Sequence, residues 1–357
     1  MLILVGKGYG DNPKYILEYL NQQKKKIDFV WLTSNSNNTK FPKNIRTVKI
    51  FSIKSFFELA TAKVWINNSR FDQFVIKRKE QFYIQTWHGG LALKKIEYDA
   101  EEKMSEYYKK VMKNDNKMID IMLSNSKFCT EMYRRGFKYN GNILEVGSPR
   151  NDILINKNIE IKNNICEKYK INKKEKILLY APTFRKKYDK NPYDIDFDLL
   201  KKTLLKKTGY KWNILIKLHP RISDATRYIN NIENYIDVTG YSDMQELISS
   251  CDMLITDYSS TMFETMITNK PVILYANDIE NYMNERGMYF KFKELPFPLT
   301  RNNYELEQCI KKVDFNDITK KYNDFKEKIG LNESGEASKI IGDKIIEILK
   351  GEKNEQE

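Results

Sequence analysis

The stretch DMLITDYSSTMFETMITNKPVILYANDI, residues 252–279, holds two short apolar runs on either side of a polar turn and an amphipathic segment. The runs MLIT and VILY have the length of buried strands. The segment between them, TMFETMITNK, follows serine and threonine residues that favour the start of a helix. A strand, a helix and a strand in this order predict parallel strands joined by a crossover helix.

The same alternation extends over most of the chain. Ahead of a Lys- and Asn-rich segment at about residues 155–175, apolar runs predict the strands MLILV, IDFVWLT, KVWINNS, QFYIQTW, MIDIMLSNS and NILEV. After that segment, they predict the strands ILLYAPTF, WNILIKLH, DMLIT and PVILY. We interpret 155–175 as a linker and predict the fold class α/β, with two Rossmann-like domains facing each other across a cleft.

Composition limits the classes of function. The net charge of +13 comes from 61 Lys and Arg residues spread along the chain, with no zinc-finger spacing and no RNP-like segment. We therefore expect no nucleic-acid partner. The four cysteines form no C-x-x-C pair, which indicates reduced thiols in the cytoplasm. No signal peptide or membrane-spanning run is visible, so we expect a soluble or peripheral protein.

The only two histidines both come at the end of an apolar run, His88 in QTWHGG and His219 in ILIKLHPR. Ligands of open α/β sheets lie beyond the carboxyl ends of the strands. Small, hydroxyl, imidazole or basic residues occupy five such positions: His88-Gly89-Gly90, Ser148-Pro149-Arg150, Ala181-Pro182-Thr183, Lys217-Leu218-His219-Pro220-Arg221 and Asp257-Tyr258-Ser259-Ser260-Thr261. Each position is a weak signal alone, but together they predict a binding site.

The turn at Ser259 and Ser260 suits phosphate, because backbone N–H groups and the helix dipole attract anions at a helix start. Glu264 lies one turn further on, where it either accepts from a ribose hydroxyl pair or is an ordinary first-turn charge. No dinucleotide, P-loop or nucleophile-elbow motif occurs. We interpret Asp196 and Asp198 as residues that cap a helix and not as metal ligands. We therefore expect no tightly bound metal, although a divalent cation such as Mg²⁺ could accompany a nucleotide.

At these strand ends the chain resembles the CDP-glycerol glycerophosphotransferases, the family of teichoic-acid primases and polymerases and their capsule relatives. The resemblance runs in the family's order from near residue 5 to residue 290. It is carried by GYGDNPKYILEYL, AKVWINNS, QTWHGGLALKKIEYD, LSNSKFCTEMYRRGFKYNGNILEVGSPRND, ILLYAPTFR, IKLHP and VTGYSDMQELISSCDMLITDYSSTMFETMITNKPVILYANDIENYMNERGMYF.

The resemblance implies a GT-B-like fold, with CDP-glycerol in the cleft and a phosphotransferase activity of the EC 2.7.8 type. It implies an acceptor-side domain at 1–160, a nucleotide-donor domain at 161–335, and a C-terminal helix and charged tail at 336–357. The donor contacts that it implies are His88, Gly89, Gly90, Leu91, Ala92, Arg150, Pro182, Thr183, Lys217, His219, Ser259, Ser260 and Glu264.

Three departures from the family pattern leave more than one function open. The family usually has His-Gly-Thr-Pro where this chain has His88-Gly89-Gly90-Leu91, Arg where it has Lys217, and Asp where it has Glu264. A lysine lacks the arginine fork, so a related donor such as CDP-ribitol stays open. A GT-B glycosyltransferase that uses a nucleotide sugar also stays open, as does a non-enzymatic protein that binds polyanions or membranes through its charge.

The catalytic hypothesis assigns one step to each histidine. Imidazole titrates near neutrality, so His88 is predicted to take the proton from the acceptor hydroxyl, whose oxygen attacks the glycerol-bearing phosphorus. His219 is predicted to bind the pyrophosphate and to stabilise or protonate the leaving CMP. Lys217, Arg150 and the helix start at Ser259-Ser260 would stabilise the developing charge.

The family's acceptors are lipid-linked or polysaccharide, in teichoic-acid or capsule synthesis. The resemblance therefore implies a cytoplasmic enzyme held peripherally on the cytoplasmic face of the membrane, and Lys-rich stretches such as 185–193 could contribute. The sequence leaves the acceptor, the choice between priming and polymerising, and the oligomeric state open.

Overall fold

The computed structural model describes residues 1–6, 8–34, 41–185, 193–219, 235–280 and 287–351. The chain forms two compact units. Unit 1 comprises Met1–Leu91, Ile96–Asp152 and Ile329–Glu357, and unit 2 comprises Ala92–Lys95 and Ile153–Lys328. Each unit contains a parallel sheet and helices, which confirms the prediction of a GT-B-like α/β protein with two Rossmann-like domains.

Unit 1 is built on a seven-stranded sheet in the order β3-β2-β1-β4-β5-β6-β7, with all strands parallel. Most of its strands are buried along their whole length, as expected where helices cover both faces. The strands are β1 (Leu2–Val5), β2 (Phe29–Thr33), β3 (Ile45–Lys49), β4 (Val64–Asn67), β5 (Phe82–Gln85), β6 (Ile121–Ser124) and β7 (Asn142–Glu145). The helices are α1 (Asp11–Gln22), α2 (Ile53–Thr61), α3 (Glu106–Met118) and α4 (Lys127–Gly136), joined by the C-terminal α12 (Ala337–Lys350).

Unit 2 has a six-stranded sheet in the order β10-β9-β8-β11-β12-β13, also with parallel pairing throughout. Its strands are β8 (Lys176–Ala181), β9 (Trp212–Ile216), β10 (Ile236–Asp237), β11 (Met253–Thr256), β12 (Val272–Tyr275) and β13 (Leu299–Thr300). After the short α5 (Asp152–Ile155), which begins at the boundary, its helices are α6 (Ile159–Lys168), α7 (Phe197–Thr208), α8 (Met244–Ser250), α9 (Thr261–Ile267), α10 (Asn303–Lys312) and α11 (Phe315–Lys328). Within the described residues, no helix has the length and apolar character that crossing a bilayer requires.

Each sheet has a point where the strand order reverses, and that point marks the place where α/β proteins bind ligands. In unit 1 the reversal lies between β1 and β4, and in unit 2 it lies between β8 and β11. Residues 252–279 form β11, α9 and β12, as the sequence predicted. The first of these strands, β11, lies next to the point of reversal in unit 2.

The segment 155–175, interpreted as a linker, is instead largely helical. Its helix α6 buries Ile165 and Cys166, and Lys162 forms an ion pair with Asp252 at 2.8 Å. Most of the Lys and Asn residues of the segment are exposed. Helix formation here follows from two buried apolar side chains, which the polar composition obscured.

The compact units differ from the boundaries 1–160, 161–335 and 336–357 that the resemblance implied. Residues 92–95 belong to unit 2, and the chain returns to unit 1 at Ile329. The return has a physical cause: α12 buries Ile341 and Ile345 in the core of unit 1, and Tyr19 of α1 donates a hydrogen bond to Asp343 at 2.7 Å.

Ahead of α12, the return segment packs on the carboxyl ends of β6 and β7. The Glu333 carboxylate accepts hydrogen bonds from the side-chain amides of Asn125 (2.8 Å) and Asn151 (2.7 Å) and from the Ser148 backbone N–H (3.0 Å). Burial raises the pKa of Glu333 to about 7, although these hydrogen bonds act in the opposite direction. We therefore expect this carboxyl to be protonated in the folded protein below about pH 7.

The Glu333 carboxyl makes a testable contribution to the pH dependence of stability. Between about pH 4.5 and 7 the folded protein holds a proton that the unfolded chain has released, so the free energy of unfolding falls as the pH rises through that window. The expected decrease from this group is about 3 kcal/mol. Urea unfolding at pH 5 and pH 8 should show this decrease in the wild type and a much smaller one in Glu333→Gln. Glu336→Gln, an exposed glutamate three residues on, is the matched control. Equal pH slopes for Glu333→Gln and the wild type would contradict the assignment.

Candidate functional site

In unit 1 the loop after β5 carries the predicted residues His88 to Leu91. Trp87, just before them, has φ 52°, a left-handed conformation that is unusual for a bulky residue. The buried amide of Asn12 donates to the carbonyl oxygens of Trp87 at 3.0 Å and Thr86 at 3.3 Å. These bonds from α1 hold the loop in a conformation that its own backbone would not prefer.

The His88 side chain is exposed, and its orientation is fixed from one side. Its Nδ1 atom lies 2.8 Å from the backbone oxygen of Asn68, the residue that follows β4. A carbonyl oxygen only accepts, so Nδ1 carries the hydrogen, and in the neutral ring Nε2 is the basic nitrogen. The ring also lies 4.2 Å, centroid to centroid, from that of Trp87. This tautomer suits a base that acts through Nε2.

Arg150 is brought next to the His88 loop by the turn after β7. Its Nη1 atom donates to the His88 backbone oxygen at 2.9 Å and to the Asp11 carboxylate at 3.0 Å. The other Asp11 oxygen accepts from the Asn68 side-chain amide at 2.8 Å. The unit 1 part of the predicted site is thus assembled around Asp11, which the sequence indicated only as a helix start.

The departure from the family pattern at position 90 has a steric explanation. A Cβ atom on Gly90 would lie only 2.2 Å from the side-chain nitrogen of Asn125, so a threonine does not fit without rearrangement. The neighbouring Gly89 oxygen accepts from the Tyr133 hydroxyl at 3.1 Å, and Leu91 is buried. Asn125 therefore occupies the space that a larger side chain would need.

In unit 2, Pro182 and Thr183 follow β8 and lie beside the residues that follow β11. The Asp257 carboxylate accepts from the Thr183 backbone N–H at 2.9 Å and from its hydroxyl at 3.1 Å. Asp257 is buried, so its role is to hold the Thr183 loop at the strand-order reversal.

Arg185 is a residue of this site that the sequence analysis did not single out. It bridges two carboxylates, with Nη2 2.8 Å from Asp257 and Nε 2.7 Å from Asp278, and Asp278 also accepts from the Tyr258 hydroxyl at 2.8 Å. Burial raises the pKa of Asp278, but the hydrogen bonds and charge of Arg185 outweigh it and hold the pKa below its usual value. The available signal was the arginine at the end of ILLYAPTFR.

The serine turn after β11 uses its hydroxyl groups in part for the helix itself. Ser259 Oγ accepts from the Thr261 backbone N–H at 3.3 Å and bonds the Thr261 hydroxyl at 2.9 Å. Ser260 is the N-cap residue of α9 but makes no side-chain capping bond. A serine thus occupies the N-cap position, as predicted, but its side chain does not cap the helix.

Lys217 and Glu264 are already engaged by protein groups. The Lys217 ammonium donates to the backbone oxygens of Thr239, at 2.8 Å, and Tyr241. Glu264 is buried and accepts from the Gln245 side-chain amide at 2.8 Å. Glu264 is therefore buried and hydrogen-bonded, and its contact with a ribose hydroxyl pair stays a prediction.

His219 is exposed at the end of β9, with its ring 5.6 Å from that of Phe184. Pro220, Arg221 and most of the Lys-rich stretch 185–193 lie outside the described residues. The structure thus brings His88, Gly89, Gly90, Leu91 and Arg150 together in unit 1. It brings Pro182, Thr183, Ser259 and Ser260 together in unit 2, which also contains Ala92, Lys217, His219 and Glu264. Across the described part of the chain, no three His, Cys, Asp or Glu residues are grouped as metal ligands.

Comparison with known proteins places this arrangement in a family. The profile of the family described as CDP-Glycerol:Poly(glycerophosphate) glycerophosphotransferase matches residues 2–347. The chain is 32% identical to the teichoic acid poly(glycerol phosphate) polymerase of Bacillus spizizenii, over 96% of this chain and 90% of that protein. It is also 32% identical to the polymerase of the same description from Staphylococcus epidermidis, covering 97% of this chain but only 50% of that protein.

A solved structure of the wall teichoic acid polymerase TagF, the H444N variant soaked with CDPG, matches with a TM-score of 0.86. That match has 30% identity and covers 98% of this chain and 89% of the other. The predicted family and the predicted enzyme class, a CDP-glycerol glycerophosphotransferase, are both confirmed by these matches. The chain belongs to the CDP-glycerol:poly(glycerophosphate) glycerophosphotransferase family.

Proposed function

We propose that the protein transfers glycerol phosphate from CDP-glycerol to a hydroxyl group of a lipid-linked or polysaccharide acceptor in teichoic-acid synthesis, with release of CMP. The match of the family model over residues 2–347 supports the reaction. The observation that supports His88 as the base is the hydrogen bond from its Nδ1 to the Asn68 carbonyl oxygen, which makes Nε2 the basic atom of the neutral ring. An imidazole in this tautomer can accept the acceptor's proton near neutral pH.

In the proposed reaction, the acceptor oxygen attacks the phosphorus that bears glycerol, while its proton passes to His88 Nε2. The bond between this phosphorus and the bridging oxygen of CDP breaks, and CMP leaves with that oxygen. The charge that develops on the leaving phosphate needs donors and cations around it. We assign this role to His219, to the backbone N–H groups at Ser259 and Ser260, and to the cations Lys217 and Arg150.

The contacts of the two cations refine these roles. The Nη1 atom of Arg150 donates to both the Asp11 carboxylate and the His88 backbone oxygen. We therefore propose that Arg150 also holds the loop that carries His88. Lys217 is bonded to two backbone oxygens, which fixes the position of its charge near β9. A positive charge that is held in place stabilises a transition state without reorganisation.

Substitution of the two histidines separates the proposed steps. With radiolabelled CDP-glycerol and a lipid-linked acceptor, we expect His88→Ala to lower kcat by about 10²–10⁴-fold, the usual contribution of a general base, while CDP-glycerol still binds. His219→Gln should weaken donor binding as well as turnover. The two variants are controls for each other, and near-normal kcat in His88→Ala would refute the assignment of the base.

Nucleotide preference separates this proposal from a nucleotide-sugar glycosyltransferase. A ligand that binds only the folded state stabilises it by about 2.7 kcal/mol at a hundred times its Kd. We expect CDP and CMP to raise Tm more than UDP or GDP, with and without Mg²⁺. A larger shift with UDP or GDP would favour the glycosyltransferase. Turnover of CDP-glycerol against CDP-ribitol then identifies the polyol.

We further propose that unit 1 contacts an anionic membrane surface through an exposed apolar patch. The patch consists of side chains from α2 and from the two loops at residues 51–52 and 71–80, with exposed fractions from 40% to 90%: Phe51, Ile53, Phe56, Phe57, Phe74 and Ile76. The ring of Phe74 lies 5.9 Å from those of Phe51 and Phe56, so these three rings form one cluster, and Ile53 and Phe57 lie one turn apart on α2 beside Phe56. Contiguous apolar surface of this kind marks interaction sites.

The charges around the patch favour lipid as its partner. Four exposed cations lie next to these residues in the sequence, Lys49, Lys54, Arg78 and Lys79, against one exposed carboxylate, Glu80. Aromatic and branched apolar side chains with basic residues beside them are the composition of segments that lie in a membrane interface. Each cation near an anionic surface adds about 1 kcal/mol.

Vesicle flotation tests this surface directly. The double variant Ile53→Ser/Phe57→Ser should bind phosphatidylglycerol-containing vesicles about tenfold less than the wild type, because it loses apolar area that would enter the interface. Ile159→Ser, an equally apolar exposed residue on α6 of unit 2, is the matched control and should bind normally. Equal flotation of all three proteins would exclude the patch as the membrane contact.

A further inference from the structure

Asp11 combines two features that are unusual for a helix start. Its backbone has φ 59°, in the left-handed region that non-glycine residues rarely occupy. Its two carboxylate oxygens are used for different partners, one for Arg150 Nη1 at 3.0 Å and one for the Asn68 amide at 2.8 Å. Strained residues persist where the surrounding contacts over-determine them, and such residues cluster at functional sites.

Both partners of Asp11 lead to His88. Asn68 holds the imidazole, because its backbone oxygen accepts from His88 Nδ1 at 2.8 Å. Arg150 holds the backbone, because its Nη1 donates to the His88 oxygen at 2.9 Å. The Asp11 carboxylate thus acts on His88 through two residues. Asn68 connects it to the His88 ring, and Arg150 connects it to the His88 backbone.

We propose that Asp11 is a positioning residue for the phosphotransfer reaction: it fixes the His88 ring through Asn68 and the His88 backbone through Arg150. The inference rests on the proposed function, since it gives the base the geometry that function needs. Misplacement of a reacting group by about 1 Å can cost of order 10²-fold in rate, so a positioning residue has a measurable effect without touching substrate.

The two connections can be separated by substitution. Asn68→Ala keeps the backbone oxygen that binds His88 but removes the amide that ties it to Asp11. We expect kcat to fall by about tenfold with the KM for CDP-glycerol unchanged, since only the base is affected. In Asp11→Asn the side chain keeps its size, and asparagine tolerates the left-handed backbone. Its NH₂ group, however, replaces one of the two oxygens that accept from Asn68 and Arg150. It should lower kcat and also raise KM, because Arg150 is released.

The combination of the two substitutions tests whether they act through one path. The double variant Asp11→Asn/Asn68→Ala should have the kcat of Asp11→Asn alone, because the same tether is already broken. Asp28→Asn is the matched control: Asp28 also pairs with an arginine, Arg46 at 2.8 Å, but precedes β2 at the opposite edge of the sheet. It should leave kcat and KM unchanged. Asp11→Gly relieves the strained backbone and provides a folded variant if Asp11→Asn is unstable.

An NMR readout tests the tether without turnover. The chain has only two histidines, so selective ¹⁵N-histidine labelling gives two imidazole signals, and His219→Gln assigns the one from His88. We expect the wild type to show the Nδ1–H tautomer, and Asn68→Ala and Asp11→Asn to show a mixture. If the wild type does not use CDP-glycerol but the tautomer responds as described, the proposed function fails, and the result still shows that Asp11 orients the His88 ring. If the variants keep the wild-type tautomer and kcat within twofold, the positioning role is overturned and the function is unaffected.

Discussion

The buried amide of Asn12 is the interaction on which the unit 1 site depends. It donates to the carbonyl oxygens of Thr86 and Trp87 and accepts from the Arg150 backbone N–H at 3.1 Å. It thereby joins the loops that follow β1, β5 and β7, which parallel pairing brings to one edge of the sheet. Loops at this edge must turn sharply, and their backbone groups would otherwise be buried without partners. One amide satisfies three of them, which lets Trp87 keep a left-handed conformation next to the base.

In unit 2 the loops at the corresponding edge of the sheet are held by a buried carboxylate, that of Asp257. Asp257 holds the Thr183 loop and, through Arg185, is connected to Asp278 beyond β12. A buried carboxylate needs a cation and several donors to offset the loss of water, and Arg185 with Thr183 supplies them. The two units therefore share a topology, and both join their loops with an ion pair, Asp11 with Arg150 in unit 1 and Arg185 with Asp257 and Asp278 in unit 2. Unit 1 adds the neutral amide of Asn12 to this scheme.

The sequence predicted the parallel architecture because most strands are short apolar runs followed by turn residues, as in MLILV and DMLIT. It missed β3, whose residues IRTVK are half exposed at a sheet edge, and α6, whose two buried side chains are surrounded by Lys and Asn. It indicated the strand-end residues but not their partners: the contacts of Glu333 with Asn125 and of Asp11 with Arg150 join positions far apart in the chain. Hydrogen bonds between distant loops have no local pattern, so only the folded chain reveals them.

These partners also explain why two histidines suffice for the proposed chemistry. Glu264, Asp257 and Arg150 are all buried or nearly so, and each is bonded to protein groups. A buried charge that is committed to such partners is costly to redirect to a ligand, so its effect is exerted through position and field. The imidazoles of His88 and His219 are instead exposed, and imidazole changes protonation near neutral pH. The polar residues around the two histidines then serve mainly to orient the imidazole rings and to determine the electrostatic field around them. Phosphoryl transfer depends on positioning and on charge stabilisation, and these residues supply both.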